Sequence, residues 1–268
     1  MENQQNIASQ ENEHSETPYS DVVMKEVPEE EKVEFDGRII DGIYQVVKAF
    51  DSEKDKKGLF VGLCKNMLDG RLYVIKAMGG SKAEMLHFEA ANNEYLDGGS
   101  RYTVKMITFK PASPGMGILT LGNGEMYTTY SYMVIPYCKN GSLLRLLINS
   151  VEDKKPLSVL TQKKLCRQIV QCVAHMHQEL GTAHLDLKAD NFVITESFDL
   201  ALIDFGMAED CSELLEDTQK MTEIYRAPEV FEDDSYDPEA VDIFGIGVCM
   251  FMIMLRNAPF LREGCLRN

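Results

Sequence analysis

Residues 181–194 read GTAHLDLKADNFVI. Two apolar stretches enclose Asp186, Lys188, Asp190 and Asn191, a concentration of charged and amide side chains in one short loop. Such a set suits a ligand. The plainer alternative is that Asp186 and Asn191 hydrogen-bond their own loop backbone, as Asp and Asn often do in turns.

The flanks show how the loop is held. Upstream, TQKKLCRQIVQCVAHMHQEL (161–180) sets Leu165, Ile169, Val173, Met176 and Leu180 on one helical face. Downstream, FVIT and LALID are short β-rich runs on either side of a turn at Glu196–Asp199, and an acidic loop follows to Tyr225. The run IFGIGVCMFMIML (243–255) falls short of the ~20 residues that cross a bilayer, and predicts a buried core helix.

Before residue 138 the texture differs. Five β-rich runs, over 43–50, 59–66, 72–78, 102–109 and 130–138, are separated by charged or glycine-containing turns and one helical stretch, SKAEMLHFEAANNEYLDGG. Ser81 and Glu84 have capping-box spacing. Met85, Phe88, Asn92, Tyr95 and Leu96 recur near helical spacing, and Gly98-Gly99 closes the helix. The pattern predicts an α+β, bilobal chain. A β-rich N-lobe with one helix (38–137) is joined by a short hinge to a mainly helical C-lobe (138–268), after a disordered acidic tail (1–37) that could dock a partner.

The net charge is −16, and between Glu2 and Asp36 eleven acidic residues face two lysines. That balance excludes nucleic acid and anionic membrane as general surface partners, since both need a basic face. Seven scattered cysteines without CxxC or His/Cys metal spacing read as reduced thiols of an intracellular, cytoplasmic protein. The N-terminus lacks the pattern of a secretory signal.

Three stretches, HLDLKADN, LIDFGMA and IYRAPEV, together with Lys76 in YVIKA and Asp242 in DIFGIGV, resemble the eukaryotic protein kinase family in order and spacing over roughly residues 40–268. The resemblance implies a bilobal kinase fold and Mg·ATP-dependent phosphoryl transfer to Ser/Thr hydroxyls of a protein substrate. Lys76 would touch the α and β phosphates, fixed by Glu89, with Glu94 as the rival. Asp186 would orient the substrate hydroxyl and accept its proton, and Lys188 would reach the transferring phosphate. Asn191 and Asp204 would bind the metal. Val61, Val74, Pro136 and Cys138 would line the nucleotide. Thr222, three residues before Tyr225, would face Asp186 as in Ser/Thr-specific members, and Asp242 would hold the catalytic-loop backbone.

Four departures weigh against turnover. With Val61 in place, the family's three loop glycines fall on Lys54, Lys56 and Leu59, and only Gly58 is present, one position off. Val74 replaces a smaller alanine over the purine. Leu185 stands where an arginine would pair with a phosphorylated activation loop, so activation by that pair is not expected. The sequence stops soon after APFLREG, which implies a truncated C-lobe with one side of the central helix uncovered. The alternative reading is a pseudokinase, a nucleotide-binding or scaffold module without turnover.

Overall fold

The computed structural model describes residues 36–50, 58–96, 100–216, 222–232 and 235–259. The N-terminal tail, Lys54 and Lys56 of the loop, and Gly98-Gly99 lie outside the described residues.

The N-lobe is built on one antiparallel sheet. Its strands are β1 (Ile39–Ile40), β2 (Tyr44–Ala49), β3 (Leu59–Asn66) and β4 (Leu72–Gly79). After α1 (Met85–Leu96) come β5 (Thr108–Lys110), a small hairpin of β6 (Leu119–Thr120) and β7 (Met126–Tyr127), and β8 (Tyr130–Pro136). The sheet order is β1-β2-β3-β4-β8-β5. Strand alternation divides its residues. Phe60, Cys64, Ile75, Ala77, Tyr132 and Val134 enter the lobe's own core. Val61, Leu63, Val74, Lys76, Met133 and Ile135 therefore share the opposite face, with Val61↔Lys76↔Met133 and Leu63↔Val74↔Ile135 in register.

Four sequence expectations are corrected here. Ser81 sits within a 3₁₀ turn, Gly80–Lys82, ahead of α1. The loop before β8 contains the β6–β7 hairpin. The strand expected over 102–109 survives only at 108–110, because Asn93 of α1 takes its backbone: Asn93 Nδ2 donates to Val104 O at 3.2 Å and Oδ1 accepts from Met106 N–H at 2.8 Å. The apolar face assigned to α1 is also wrong. Met85, Phe88 and Tyr95 are exposed, whereas Leu86, Glu89, Ala90, Asn93 and Leu96 are buried. Glu89, one turn beyond Met85, is buried where Met85 at the start of the helix is exposed, and the polar Glu89 and Asn93 hid the true face from a hydrophobic count.

The C-lobe comprises α2 (Leu143–Glu152), α3 (Val159–Ala174), β9 (Thr182–Ala183), the β10–β11 hairpin (Phe192–Ile194 with Leu200–Leu202), β12 (Glu209–Asp210), α4 (Glu229–Glu232) and α5 (Pro238–Leu255). Ser142, Ser158 and Asp237 cap α2, α3 and α5, each side chain accepting a first-turn N–H. Leu165, Ile169 and Val173 are buried on α3, and Met176 just beyond it, as their spacing predicts. Beyond Ala174 the helix widens into a π turn, His175–Glu179.

Helix α5 is 18 residues long, more than the 13 of the apolar run, and by length and composition alone it could cross a membrane. One face, with Val241, Ile246, Cys249 and Ile253, is buried, and the helix packs against α3 and β9. Ile243, Met254 and Leu255 remain exposed on the other. Gly245 brings α5 close to the 184–191 loop: a Cβ there would stand 3.0 Å from Leu187 Cβ.

Candidate active site

Lys76 projects from β4, the strand between β3 and β8, so its Cα is fixed by hydrogen-bonded neighbours on both sides. Its ammonium lies 2.7 Å from Glu89 Oε2 and 2.9 Å from Asp204 Oδ1. Glu94 is exposed on the other side of α1, which decides between the two glutamates. Burial opposes charge on the Lys76 ammonium, but the two carboxylates outweigh it and hold its pKa above the usual lysine value. Burial, with the nearby charge of Asp204, pushes Glu89 up to about 7 despite its pairing with Lys76. Asp204 resists the same desolvation because Lys76 attracts and hydrogen-bonds it, and its pKa is held down to about 2.

Asp204 follows β11 with φ 67°, in the left-handed region. For a non-glycine residue that conformation costs about 1–2 kcal/mol. The surroundings over-determine it. Phe205 is buried under α1, and Asn92 of that helix donates to Phe205 O at 2.9 Å and Ala208 O at 3.1 Å. His184 packs on the Phe205 ring at 5.5 Å. His184 Nδ1 accepts from Asp186 N–H at 3.3 Å, and Nε2 faces Ile203 O at 3.1 Å, which assigns the Nε2–H tautomer. Asn92 and His184 were missed as positioning groups because nothing in their local spacing marks them.

A second cluster centres on Asp186. Its Oδ2 accepts from Lys188 Nζ at 2.5 Å and Asn191 Nδ2 at 3.3 Å, and its Oδ1 accepts from the Thr222 hydroxyl at 3.0 Å. Lys188 also reaches Thr222 Oγ1 at 3.3 Å. Asn191 Nδ2 donates to Asp186 O at 2.8 Å, so loop-backbone bonding and clustering are both present. The loop itself hangs from α5. Buried Asp242 accepts the N–H of His184 at 2.7 Å and of Leu185 at 2.8 Å, and His177 Nε2, carried by the π turn, donates to it at 2.8 Å.

Among the described residues no group of three His, Cys, Asp or Glu could hold a metal ion. Asp204 Oδ2 and Asn191 Oδ1 nevertheless take no protein partner among those residues, and both are hard oxygens. Such a pair fits Mg²⁺, which is commonly bound through one or two carboxylates plus substrate phosphates and water. At the rim, Val61 and Val74 are half-buried and Pro136 ends β8, exposed, opposite Tyr73. Cys138 O accepts from Gly141 N–H at 2.9 Å, whereas the Cys138 N–H has no partner among the described residues. Burial raises the Cys138 thiol.

Leu185 is 2% exposed, has φ 62°, and packs with Ala183, Ala227, Tyr236 and Val241. An apolar cluster thus occupies the place of a charged pocket. Leu185→Arg should bury an unpaired guanidinium and cost about 2–4 kcal/mol, read as a lower urea midpoint.

A profile of the protein kinase domain matches residues 60–265. A probable LIM domain-containing serine/threonine-protein kinase of Dictyostelium discoideum is 32% identical over 140 residues, covering 52% of this chain and 21% of that protein. The hormonally up-regulated neu tumor-associated kinase homolog B of Xenopus laevis is 33% identical over 137 residues, covering 49% and 21%. Its human counterpart is 31% identical over 137 residues, covering 49% and 18%. The chain spans about a fifth of the length of these relatives. With the profile running from β3 past the end of α5, over most of a bilobal α+β fold, the chain belongs to the protein kinase family.

Proposed function

We propose that this chain transfers the γ-phosphoryl group of ATP to Ser or Thr hydroxyls of a protein substrate, with Mg²⁺ bound at Asp204 and Asn191. The observation that carries this reading is the ammonium of Lys76 held between Glu89 and Asp204, in the same site as the Asp186–Lys188–Thr222 cluster. Lys76 binds the α and β phosphates, and two carboxylates keep its charge and position. Val61 and Val74 flank the purine, and the backbone at Pro136 and Cys138 meets its edge, the unpartnered Cys138 N–H as donor. Bound Mg²⁺ neutralises phosphate charge. Asp186 accepts the proton of the substrate hydroxyl, and Lys188 stabilises charge on the transferring group. Because Lys188 and Asp186 already bond Thr222 and Leu185 fills an apolar cluster, the loop is held without a phosphate–arginine pair.

The pseudokinase reading is favoured by one specific observation. Lys54, Lys56 and Leu59 stand where glycines would close backbone N–H groups over phosphates. Nucleotide binding without transfer is its signature.

The test is thermal shift with ATP, Mg²⁺ and both, followed by radiolabelled transfer to Ser/Thr substrates. Lys76→Met should abolish the ATP shift and any transfer. Unchanged nucleotide binding in that variant would show that the cleft is misplaced. The variant also has a pH signature. Without Lys76, buried Glu89 is left beside Asp204, and its already raised pKa rises further. The folded state then retains a proton that the unfolded chain releases above its ordinary pKa of roughly 4.3. Stability is therefore full below that value and is lost as pH rises through the raised one. Melting of Lys76→Met relative to wild type should worsen between pH 5.5 and pH 8.

A further inference from the structure

Behind the β10–β11 hairpin, a cavity of about 250 Å³ is lined by Arg101, Tyr102, Lys164, Arg167, Gln168, Gln171, Asp199 and Leu200. Its sign is opposite to that of the chain, three cations facing one carboxylate on a protein of net charge −16. Asp199 is engaged within the cavity wall, with Lys164 at 3.3 Å and Gln168 Nε2 at 2.5 Å. That leaves two guanidiniums uncompensated. Arg101 lies over the Tyr102 ring at 5.0 Å and bonds its hydroxyl at 3.0 Å, and neither contact neutralises it. Exposed Arg167 has no partner among the described residues. Asp199 also fixes the orientation of the Gln168 amide, so the spare atom is Oε1, which is buried and without a hydrogen bond. A buried acceptor in that state takes its donor from water or from a ligand in the cavity.

An anion alone satisfies the arginines but not Gln168. An acidic peptide supplies both, carboxylates from its side chains and N–H groups from its backbone. We propose that this cavity docks the acidic N-terminal segment of the same chain, through Glu29, Glu30 and Glu31. The segment carries the complementary charge, with eleven acidic residues against two lysines between Glu2 and Asp36. Glu29–Glu31 precede Asp36 by five to seven residues, a tether of roughly 17–23 Å when extended. Tethering holds the local concentration near the millimolar range, so a weak ionic contact suffices. Docking here also meets the site from behind, because Tyr102 O accepts the N–H of Leu202 at 2.8 Å, two residues before Asp204.

The test uses the full ¹⁵N-labelled chain. In wild type at low salt, the amide resonances of Glu29–Glu31 should differ from those in Arg101→Gln/Arg167→Gln, and about 0.5 M NaCl should bring the two spectra together by screening the contact. Arg145→Gln, an exposed arginine on α2 outside the cavity, should leave them at wild-type positions. Charge exchange gives the second arm. Arg101→Glu/Arg167→Glu should release the segment, and adding Glu29→Lys, Glu30→Lys and Glu31→Lys should restore the contact. The proposal is overturned if the wild-type amides do not respond to salt, or if Arg145→Gln moves them as far as the cavity variant does. It is equally overturned if oligoglutamate added in solution perturbs the Arg101 and Arg167 resonances while the tail amides never sense the cavity. That last result would assign the cavity to another protein's acidic segment.

Discussion

Asp186→Asn is expected to lower phosphoryl transfer by about 10²–10⁴-fold, the usual weight of a positioned base, while ATP·Mg²⁺ binding persists. The substitution keeps the shape of the side chain and its capacity to hydrogen-bond Thr222 and Lys188, and removes the carboxylate that would take the hydroxyl proton. Nucleotide binding rests on other groups, Lys76 with its Glu89 and Asp204 partners, none of which touches the Asp186 carboxylate. The two quantities should therefore separate on one purified protein. Transfer that is measurable and unaffected by Asp186→Asn would mean that another group is the base. No transfer from wild type to any Ser/Thr substrate, with ATP·Mg²⁺ still bound, would establish the pseudokinase reading.

The second large effect is on folding. Asp242→Ala should cost about 3–5 kcal/mol, since each buried donor left without an acceptor costs about 1–3 kcal/mol, out of a typical total of about 5–15 kcal/mol. The carboxylate is 1% exposed and receives three donors, the His184 and Leu185 N–H groups and His177 Nε2. Alanine leaves all three without a protein acceptor. Leu185 must also hold φ 62° without that anchor. Urea unfolding would read the loss. A change under 1 kcal/mol would show that the loop is positioned by Leu187 and Gly245 packing instead. Because Asp242 touches neither nucleotide nor metal position, ATP affinity measured well below the melting point should fall far less than stability.

The 184–191 loop, the 203–206 turn and the lysine at 76 were legible because order and spacing of polar residues between apolar runs are properties of the chain itself. The α3 face was legible for a similar reason, since Leu165, Ile169 and Val173 repeat with the helical period. The face of α1 was not. Its buried side carries Glu89 and Asn93, polar residues whose burial is compensated by partners far away in sequence, Lys76 for one and the backbone of Val104 and Met106 for the other. A count of apolar residues therefore selected Met85, Phe88 and Tyr95, which face solvent. The same side chain of Asn93 removed most of a strand whose residues had the composition to form one.

The sequence alone thus determined the two-lobed α+β plan and the set of polar groups available for chemistry. It did not determine how they pair. Lys76 and Asp204 are 128 positions apart, and only the docking of β4, α1 and the β11 turn brings them to 2.9 Å. Whether position 185 sits in a charged pocket or an apolar one likewise depends on Ala183, Ala227, Tyr236 and Val241. The physical reason is range. Periodicity and turn chemistry act within a few residues, whereas the protonation, orientation and partnership of a buried polar group are set by whatever the tertiary packing places within about 3 Å of it.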